Sequence, residues 1–232
     1  MHPGSPTLFD RLIRPGWEGA KANLLPGLII QGLILLLLIA YFTSPAVADF
    51  LARLSTLRNG YGFVSSFVIG AVGVGLFSEF LKWATTNRSR WQTHSWKYYA
   101  FNFLYWGLSS VWVDLFYHVQ HHVFGTSLDW RILLLKALAD QFLFTMLFAN
   151  NINCLATTWR DSGFDRARFV AVIRDSYVLK RIAPAFVSNF FFWFPTVLII
   201  YAMPLPLQMP IGALAGIFWV LLLNFVVGRK SD

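Results

Sequence analysis

The apolar run from Leu24 to Phe42, LLPGLIIQGLILLLLIAYF, contains no charged residue. In the hydrocarbon core of a bilayer the backbone has to satisfy its own hydrogen bonds, and an α-helix of about 20 apolar residues does so while crossing that core. Further apolar runs follow along the chain, of which 56% is hydrophobic and only 13% is charged. This pattern predicts an all-α fold, a multi-pass transmembrane helical bundle.

Six spans are predicted from the apolar runs. In chain order they are Leu24–Phe42, Gly62–Lys82, Tyr98–Tyr117, Ile132–Asn151, Pro184–Met203 and Pro210–Val227. They form one transmembrane domain, residues 24–228, which follows an N-terminal interfacial segment, 1–23, and precedes a C-terminal tail, 229–232. The stretch from Thr43 to Tyr61, which holds Pro45 and Gly60, is interpreted as the connection between the first two spans.

The positions of lysine and arginine favour an even number of spans, because these residues accumulate in the inner loops of membrane proteins. With both termini inside, the outer segments hold only Arg53, Arg58 and Arg131. The loop Thr157–Ile182 mixes apolar residues with charges, which predicts an amphipathic helix on the inner face that attracts anionic lipids. The formal charge of +8 thus follows from topology, and no nucleic acid partner is expected.

Small residues at i and i+4 predict close helix packing in two of the spans. They are Ala71 and Gly75 in the second span, and Gly212 and Gly216 in the last. A gate at these positions is the alternative interpretation.

Polar side chains interrupt the spans, above all in the hairpin from Asp114 to Gln141. The candidate pore or intramembrane polar residues are Glu79, Asp114, His118, Lys136, Asp140, Gln141 and Asn189. An ionisable group in hydrocarbon costs roughly 2.5 to 3.5 kcal/mol on insertion scales, so such groups usually pair or face a wet cavity. Lys136 and Asp140 lie one helical turn apart, which predicts an ion pair beside Asp114 or His118. Both a solute pathway and polar contacts between helices remain open.

The segment HVQHH, residues 118–122, is similar to a histidine box of membrane di-iron desaturases and hydroxylases. His118 and His122, at i and i+4, with Asp114 as a third ligand, form a candidate metal site. Those enzymes need several such boxes, and only His2 and His94 remain elsewhere. Histidines that cap a helix end at the membrane surface are the other interpretation, and under it no metal and no cofactor are expected.

Three places in the second half of the chain follow a common order of residues. The segment LLLKALADQFLF brings Lys136, Asp140 and Gln141 into a lysine, apolar run, Asp-Gln order, and FYHVQ follows a span that contains Gly107. Along the last two spans the corresponding residues are Asn189, Pro195, Pro204 and Trp219. In these places the chain resembles the Mpv-seventeen and peroxisomal-membrane-protein-twenty-two family of small integral membrane proteins.

The resemblance implies a helical bundle in a mitochondrial inner or peroxisomal membrane or, in a bacterium, the plasma (inner) membrane, with channel-like activity and no established enzyme chemistry. The first functional hypothesis is therefore a weakly selective channel or solute pathway. The second is a membrane-bound metal-dependent oxidoreductase built on HVQHH, and the third is a scaffold that transports nothing. The expected partners are the lipid bilayer with its anionic lipids, a small solute or ion, and further copies of the chain in a homo-oligomer.

Overall fold

The computed structural model describes residues 13–14, 16–18, 20–21, 24–85, 94–175 and 177–229, with the side chains of all of these except 26, 85, 179 and 219–229. Over these residues the chain is helical with short turns and without a strand, so the all-α fold is confirmed. Most of the predicted N-terminal interfacial segment lies outside the described residues, as does the tail from residue 230.

Eight helices, numbered in chain order, make up the described residues beyond residue 23. They are α1 (Leu24–Thr43); α2 (Pro45–Tyr61); α3, which runs as Phe63–Val68, a π-helical Ile69–Phe77 and Ser78–Thr85; α4 (Trp96–Phe124); α5, which runs as Trp130–Ala139, a π-helical Asp140–Ala149 and Asn150–Asp161; α6 (Arg166–Arg174); α7, in which a π-helical Val178–Ile182 leads into Ala183–Tyr201; and α8 (Leu205–Arg229). Glycines at positive φ end two of them, Gly62 after α2 and Gly125 after α4.

Three segments of the described chain are long and apolar enough to cross a membrane: Phe63–Ala84, Trp130–Asp161 and Lys180–Tyr201. The pair Gly27–Thr43 and Pro45–Tyr61, bent by 104°, adds a fourth if it is counted as one broken span. The other two predicted spans fall in α4, which carries more polar residues, and in α8. Three or four candidate crossings are therefore found, and the count of six remains a prediction.

The connection expected between the first two spans is itself a helix, α2. Pro45 lies in its first turn, where the missing N–H of proline leaves no helical hydrogen bond unmade. The helix ends beside Gly62, whose amide donates to the carbonyl of Arg58 at 3.0 Å. Pro45 and Gly62 thus bound a helix in the stretch from Thr43 to Tyr61, which had been interpreted as a connection.

Helix α4 turns its polar residues inward and its apolar residues outward. Its buried residues are Asn102, Gly107, Ser110, Asp114, Tyr117 and Gln120. Its exposed large hydrophobic residues are Leu104, Leu108, Trp112, Leu115, Val119 and Val123. A surface helix of a water-soluble protein shows the opposite arrangement. The surroundings that suit α4 are therefore apolar, as in a lipid bilayer.

Glycines allow α3 and α4 to approach each other closely. A Cβ atom at Gly70 would lie 2.0 Å from Oγ of Ser110, and one at Gly75 would lie 2.7 Å from the carbonyl oxygen of Asn102. Ala71, next to Gly70, is completely buried. The close packing predicted at Ala71 and Gly75 is confirmed, and both residues lie in the π-helical part of α3.

The small-residue face predicted for the last span does not make such a contact. A Cβ atom at Gly212 would stand 3.4 Å from Oη of Tyr117, an ordinary van der Waals distance. At Gly216 a Cβ atom would meet open space among the described residues. Among the described residues these two glycines bring α8 into no unusually close contact, so their role in helix packing stays a prediction.

Contacts within the chain divide it into two compact units. The larger unit comprises residues 26–136 and 196–232, and the smaller unit comprises residues 1–25 and 137–195. The two units hold different sets of the candidate polar residues, so each is described on its own below.

Candidate functional site

A buried ion pair joins α2 to α4 in the larger unit. Nη2 of Arg58 lies against Oδ1 of Asp114, and the two side chains are 7% and 1% exposed. Ser66 of α3 donates its hydroxyl proton to Oδ2 of Asp114 at 2.6 Å. Each buried charge therefore has a partner that offsets the loss of its hydration, and three helices meet at one carboxylate.

Arg58 corrects a prediction made from the sequence. It had been assigned to the outer segments as a loop charge, whereas it is buried on α2. The signal that could have found it is Asp114, because an acid within a span needs a cation. Arg58 follows the first span closely enough to supply that cation.

Asp114, His118 and His122 do not gather into a metal site. Nδ1 of His118 lies 2.8 Å from the carbonyl oxygen of Asp114, a contact within its own helical turn, and its ring packs against Phe63 with centroids 5.4 Å apart. His122 is exposed. Among the described side chains no group of three or more His, Cys, Asp or Glu could hold a metal ion, so the ligand set expected from HVQHH is not formed.

Lys136, in the first part of α5, is buried against the C-terminal end of α4. Its Nζ donates to the carbonyl oxygen of Gly125 at 2.7 Å and lies 6.0 Å from the ring centroid of Tyr201. The last carbonyl groups of a helix lack helical partners and carry the negative end of its dipole, so the ammonium group caps α4. Asp140 belongs to the smaller unit, so the ion pair predicted between it and Lys136 stays a prediction.

Gln120 and Tyr201 extend the contact around Lys136, and sequence reasoning missed both. Nε2 of Gln120 donates to the carbonyl oxygen of Lys136 at 2.8 Å and to Oη of Tyr201 at 3.3 Å. The ring of Tyr201 meets that of Tyr117 edge to face at 5.4 Å. All four side chains are buried. Their polar atoms serve mainly to join α4, the start of α5 and the end of α7.

Glu79, near the end of α3, is held by local partners. Lys82 donates to its Oε1 at 2.6 Å, and Oη of Tyr98 lies 3.4 Å from the same atom. Glu79 is buried while Lys82 is about one-third exposed. The candidate residues of the larger unit are therefore distributed over three separate groups, each with a structural explanation.

The smaller unit contains a row of polar side chains along one side of α5. Its members are Gln141, Thr145, Asn150, Cys154 and Thr158, which we call the polar stripe. They are spaced four residues apart except for the five-residue step from Thr145 to Asn150, which falls at the end of the π-helical part of α5, where the turns are wider than in an α-helix. The exposed residues of this helix are apolar, among them Phe142, Leu143, Met146, Leu147 and Leu155. Like α4, α5 thus buries polar groups and exposes apolar ones.

Gln141 forms one end of the polar stripe, and Asp140 lies beside it. Nε2 of Gln141 donates to Oδ1 of Asp140 at 2.9 Å, and the hydroxyl group of Thr145 lies 3.3 Å from the same oxygen. Gln141 is completely buried, and its Oε1 atom has no hydrogen-bond partner within the described part of the chain. An unmet acceptor is therefore present at this end.

Asn150, at the centre of the polar stripe, connects α5 to α7. Its Nδ2 donates to the carbonyl oxygen of Ile182 at 3.0 Å, and its Oδ1 accepts from Nδ2 of Asn189 at 3.3 Å. Asn189 had been predicted as an intramembrane polar residue, and the structure brings it to Asn150. Within the described part of the chain, the neighbouring Asn151 bonds only to carbonyl groups of its own helix, those of Met146 and Leu147.

Thr158 and Tyr177 close the other end of the polar stripe. Their hydroxyl oxygens lie 2.8 Å apart, and both residues are buried. Burial raises the pKa of the Tyr177 phenol, while the hydrogen bond with Thr158 acts in the opposite direction. The phenol is therefore neutral near pH 7, and this end of the stripe carries hydroxyl groups rather than a charge.

Comparison of the chain with protein-family models, curated proteins and solved structures found no match. Nothing in these comparisons bears on the resemblance to the Mpv-seventeen and peroxisomal-membrane-protein-twenty-two family. The buried polar groups themselves therefore provide the basis for a functional proposal.

Proposed function

We propose that this chain is an integral membrane protein that provides a weakly selective pathway for a small polar solute or ion. The observation that carries the proposal is the polar stripe of α5, from Gln141 to Thr158. At a rise of about 1.5 Å per residue it extends over roughly 25 Å. That length approaches the hydrocarbon thickness of a bilayer, about 30 Å.

A continuous file of hydrogen-bonding groups is what a solute needs when it leaves water for the interior of a membrane. Each polar group that loses water without replacement costs roughly 1 to 3 kcal/mol. Amide and hydroxyl groups placed one helical turn apart can take over these bonds in succession. The unpaired Oε1 of Gln141 offers an acceptor to a donor group on the solute or to an accompanying water.

The polar face of α4 supports a pathway less well. Asp114 is paired with Arg58, and Nε2 of Gln120 is bonded to Lys136 and Tyr201. Within the described residues the polar face of α4 also carries an unpaired acceptor, Oε1 of Gln120, and Asn150 of the polar stripe is bonded across helices as well. The difference is charge: a solute on α4 would compete with a buried ion pair, which is costly to separate, whereas every member of the polar stripe is uncharged. We therefore assign the pathway to α5 and a structural role to the polar face of α4.

Membrane insertion with six crossings is part of the same proposal. The three apolar segments and the bent pair supply up to four crossings. Helix α4 is 29 residues long and exposes leucine, valine and tryptophan, which favours a fifth. Helix α8, with 25 residues and no acidic residue, favours a sixth.

The test is solute flux in liposomes that contain the purified full-length protein. Asn150→Leu should reduce the flux of small polar solutes about tenfold, because it replaces a central amide of the polar stripe by an apolar side chain of similar size. A tenfold change corresponds to about 1.4 kcal/mol, the scale of one hydrogen bond. Thr145→Val, which removes only a hydroxyl group, should lower the flux by a smaller factor.

Asn151→Leu is the matched control, since Asn151 has the same side chain and bonds only to its own helix. Its flux should equal that of the unaltered protein. Thermal unfolding of each variant in detergent separates a blocked pathway from a damaged fold. Equal flux in all variants, with stability lowered only in Asn150→Leu, would show that the polar stripe holds α5 to α7. The scaffold hypothesis would then replace the solute pathway.

A further inference from the structure

Helix α2 leaves the direction of α1 abruptly. The segments Gly27–Thr43 and Pro45–Tyr61 meet at 104° with only Ser44 between them. Helix α1 has 20 residues, about 30 Å at 1.5 Å per residue, which is enough to cross the hydrocarbon core alone. If α1 crosses close to the membrane normal, a helix at nearly a right angle to it runs along the membrane surface.

The surface of helix α2 has three faces, which differ in polarity and exposure. Phe50, Leu54, Leu57 and Tyr61, at i, i+4, i+7 and i+11, form a stripe that is 61%, 43%, 63% and 68% exposed; we call it the outer apolar stripe. A second face carries exposed polar residues, among them Asp49, Arg53, Thr56 and Asn59. The third face is buried and includes Leu51 and Arg58.

The buried face fixes the rotation of the helix about its axis. Arg58 reaches Asp114 on α4, and its Nη2 lies 3.4 Å from Oγ of Ser66 on α3. Rotation of α2 would separate a buried ion pair, which costs several kcal/mol per unpaired ion. The outer apolar stripe lies roughly a quarter turn from Arg58, as the spacing of about 3.6 residues per turn requires. It is therefore held away from the protein.

We propose that α2 is an interfacial helix whose outer apolar stripe docks onto lipid acyl chains just below the headgroups. The apolar stripe beside a polar face is the pattern of helices that lie in the membrane surface. Tyr61 and Arg53 suit the headgroup level, where an aromatic ring and a long cationic side chain find both apolar and polar surroundings.

A second copy of the chain fits the stripe less well than lipid does. Four large side chains, each offering about 150 to 250 Å² when fully exposed and each roughly half exposed here, present on the order of 400 Å². A standard protein interface buries about 800 Å² on each partner. Docking onto acyl chains requires no minimum contact area, because the burial of each apolar side chain in lipid is favourable by itself.

The experiment measures depth in the membrane along the helix. Single cysteines replace Phe50, Leu54, Leu57 or Tyr61 in the full-length Cys154→Ser protein, carry a nitroxide label, and are reconstituted in phosphatidylcholine vesicles. Accessibility to oxygen and to a water-soluble nickel chelate gives the depth of each label. Matched labels at Thr56 and Asn59 report the polar face of α2, and labels at Leu36 and Phe42 report α1.

Labels on the outer apolar stripe should share one depth within a few ångströms, and those on the polar face should be more accessible to nickel. Labels at Leu36 and Phe42 should differ by about 9 Å, since α1 crosses the membrane at about 1.5 Å per residue. A steady change of about 16 Å from Phe50 to Tyr61 would overturn the proposal in favour of a re-entrant or broken span. Labels on the stripe shielded from both reagents, with cross-links between copies, would overturn it in favour of a protein partner.

Discussion

The buried ion pair of Arg58 and Asp114 joins α2 to α4 in the larger unit. Arg58→Ala should lower the free energy of unfolding by about 3 to 5 kcal/mol, because it leaves a buried carboxylate without its cation. Arg53→Ala, on the exposed polar face of the same helix, should change it by less than about 0.5 kcal/mol. Denaturant or thermal unfolding in detergent measures both.

The double variant Arg58→Met, Asp114→Leu distinguishes the contribution of the two charges to stability from that of side-chain packing. It removes both charges while it retains most of the volume, and it should be considerably more stable than Arg58→Ala, since no unpaired charge remains. Equal losses in the double and single variants would mean that the packing of the Arg58 side chain, and not its charge, holds α2.

At the scale of helices, the glycines of α3 set its distance from α4. Gly70→Ala should destabilise the protein by about 1 to 3 kcal/mol, because the new methyl group would overlap Ser110 across the helix contact. Gly32→Ala in α1 is the control, since a Cβ atom at Gly32 meets nothing within 4 Å among the described residues. That control should leave stability unchanged or raise it, and a neutral Gly70→Ala would contradict the close approach.

Helical periodicity explains which of these features could be predicted from the sequence. Apolar runs predict the candidate spans, and spacing at i and i+4 predicts the close face at Ala71 and Gly75. Periodicity relates neighbours on one helix, as in the predicted pair of Lys136 and Asp140, but it cannot show that Lys136 donates to the carbonyl group of Gly125 at the end of another helix. Helical periodicity did not reveal α2 either, because short polar residues and Pro45 interrupt its amphipathic pattern.

At the scale of the whole molecule, the number of crossings determines on which side of the membrane each turn lies. Single cysteines at Ser95, just before α4, at Ser127, between α4 and α5, and at Ala167, in the first turn of α6, all exposed positions, test it in the Cys154→Ser background. If α4 and α5 each cross, an impermeant thiol reagent added outside should label Ser127→Cys alone. Ser95→Cys and Ala167→Cys should react only after the membrane is permeabilised. The reason is that α4 buries its polar face against the protein and exposes leucine, valine and tryptophan, so its transfer into lipid is favourable although it contains several polar residues. Labelling of both Ser95→Cys and Ser127→Cys from outside would mean that α4 does not cross, and six crossings would then be excluded.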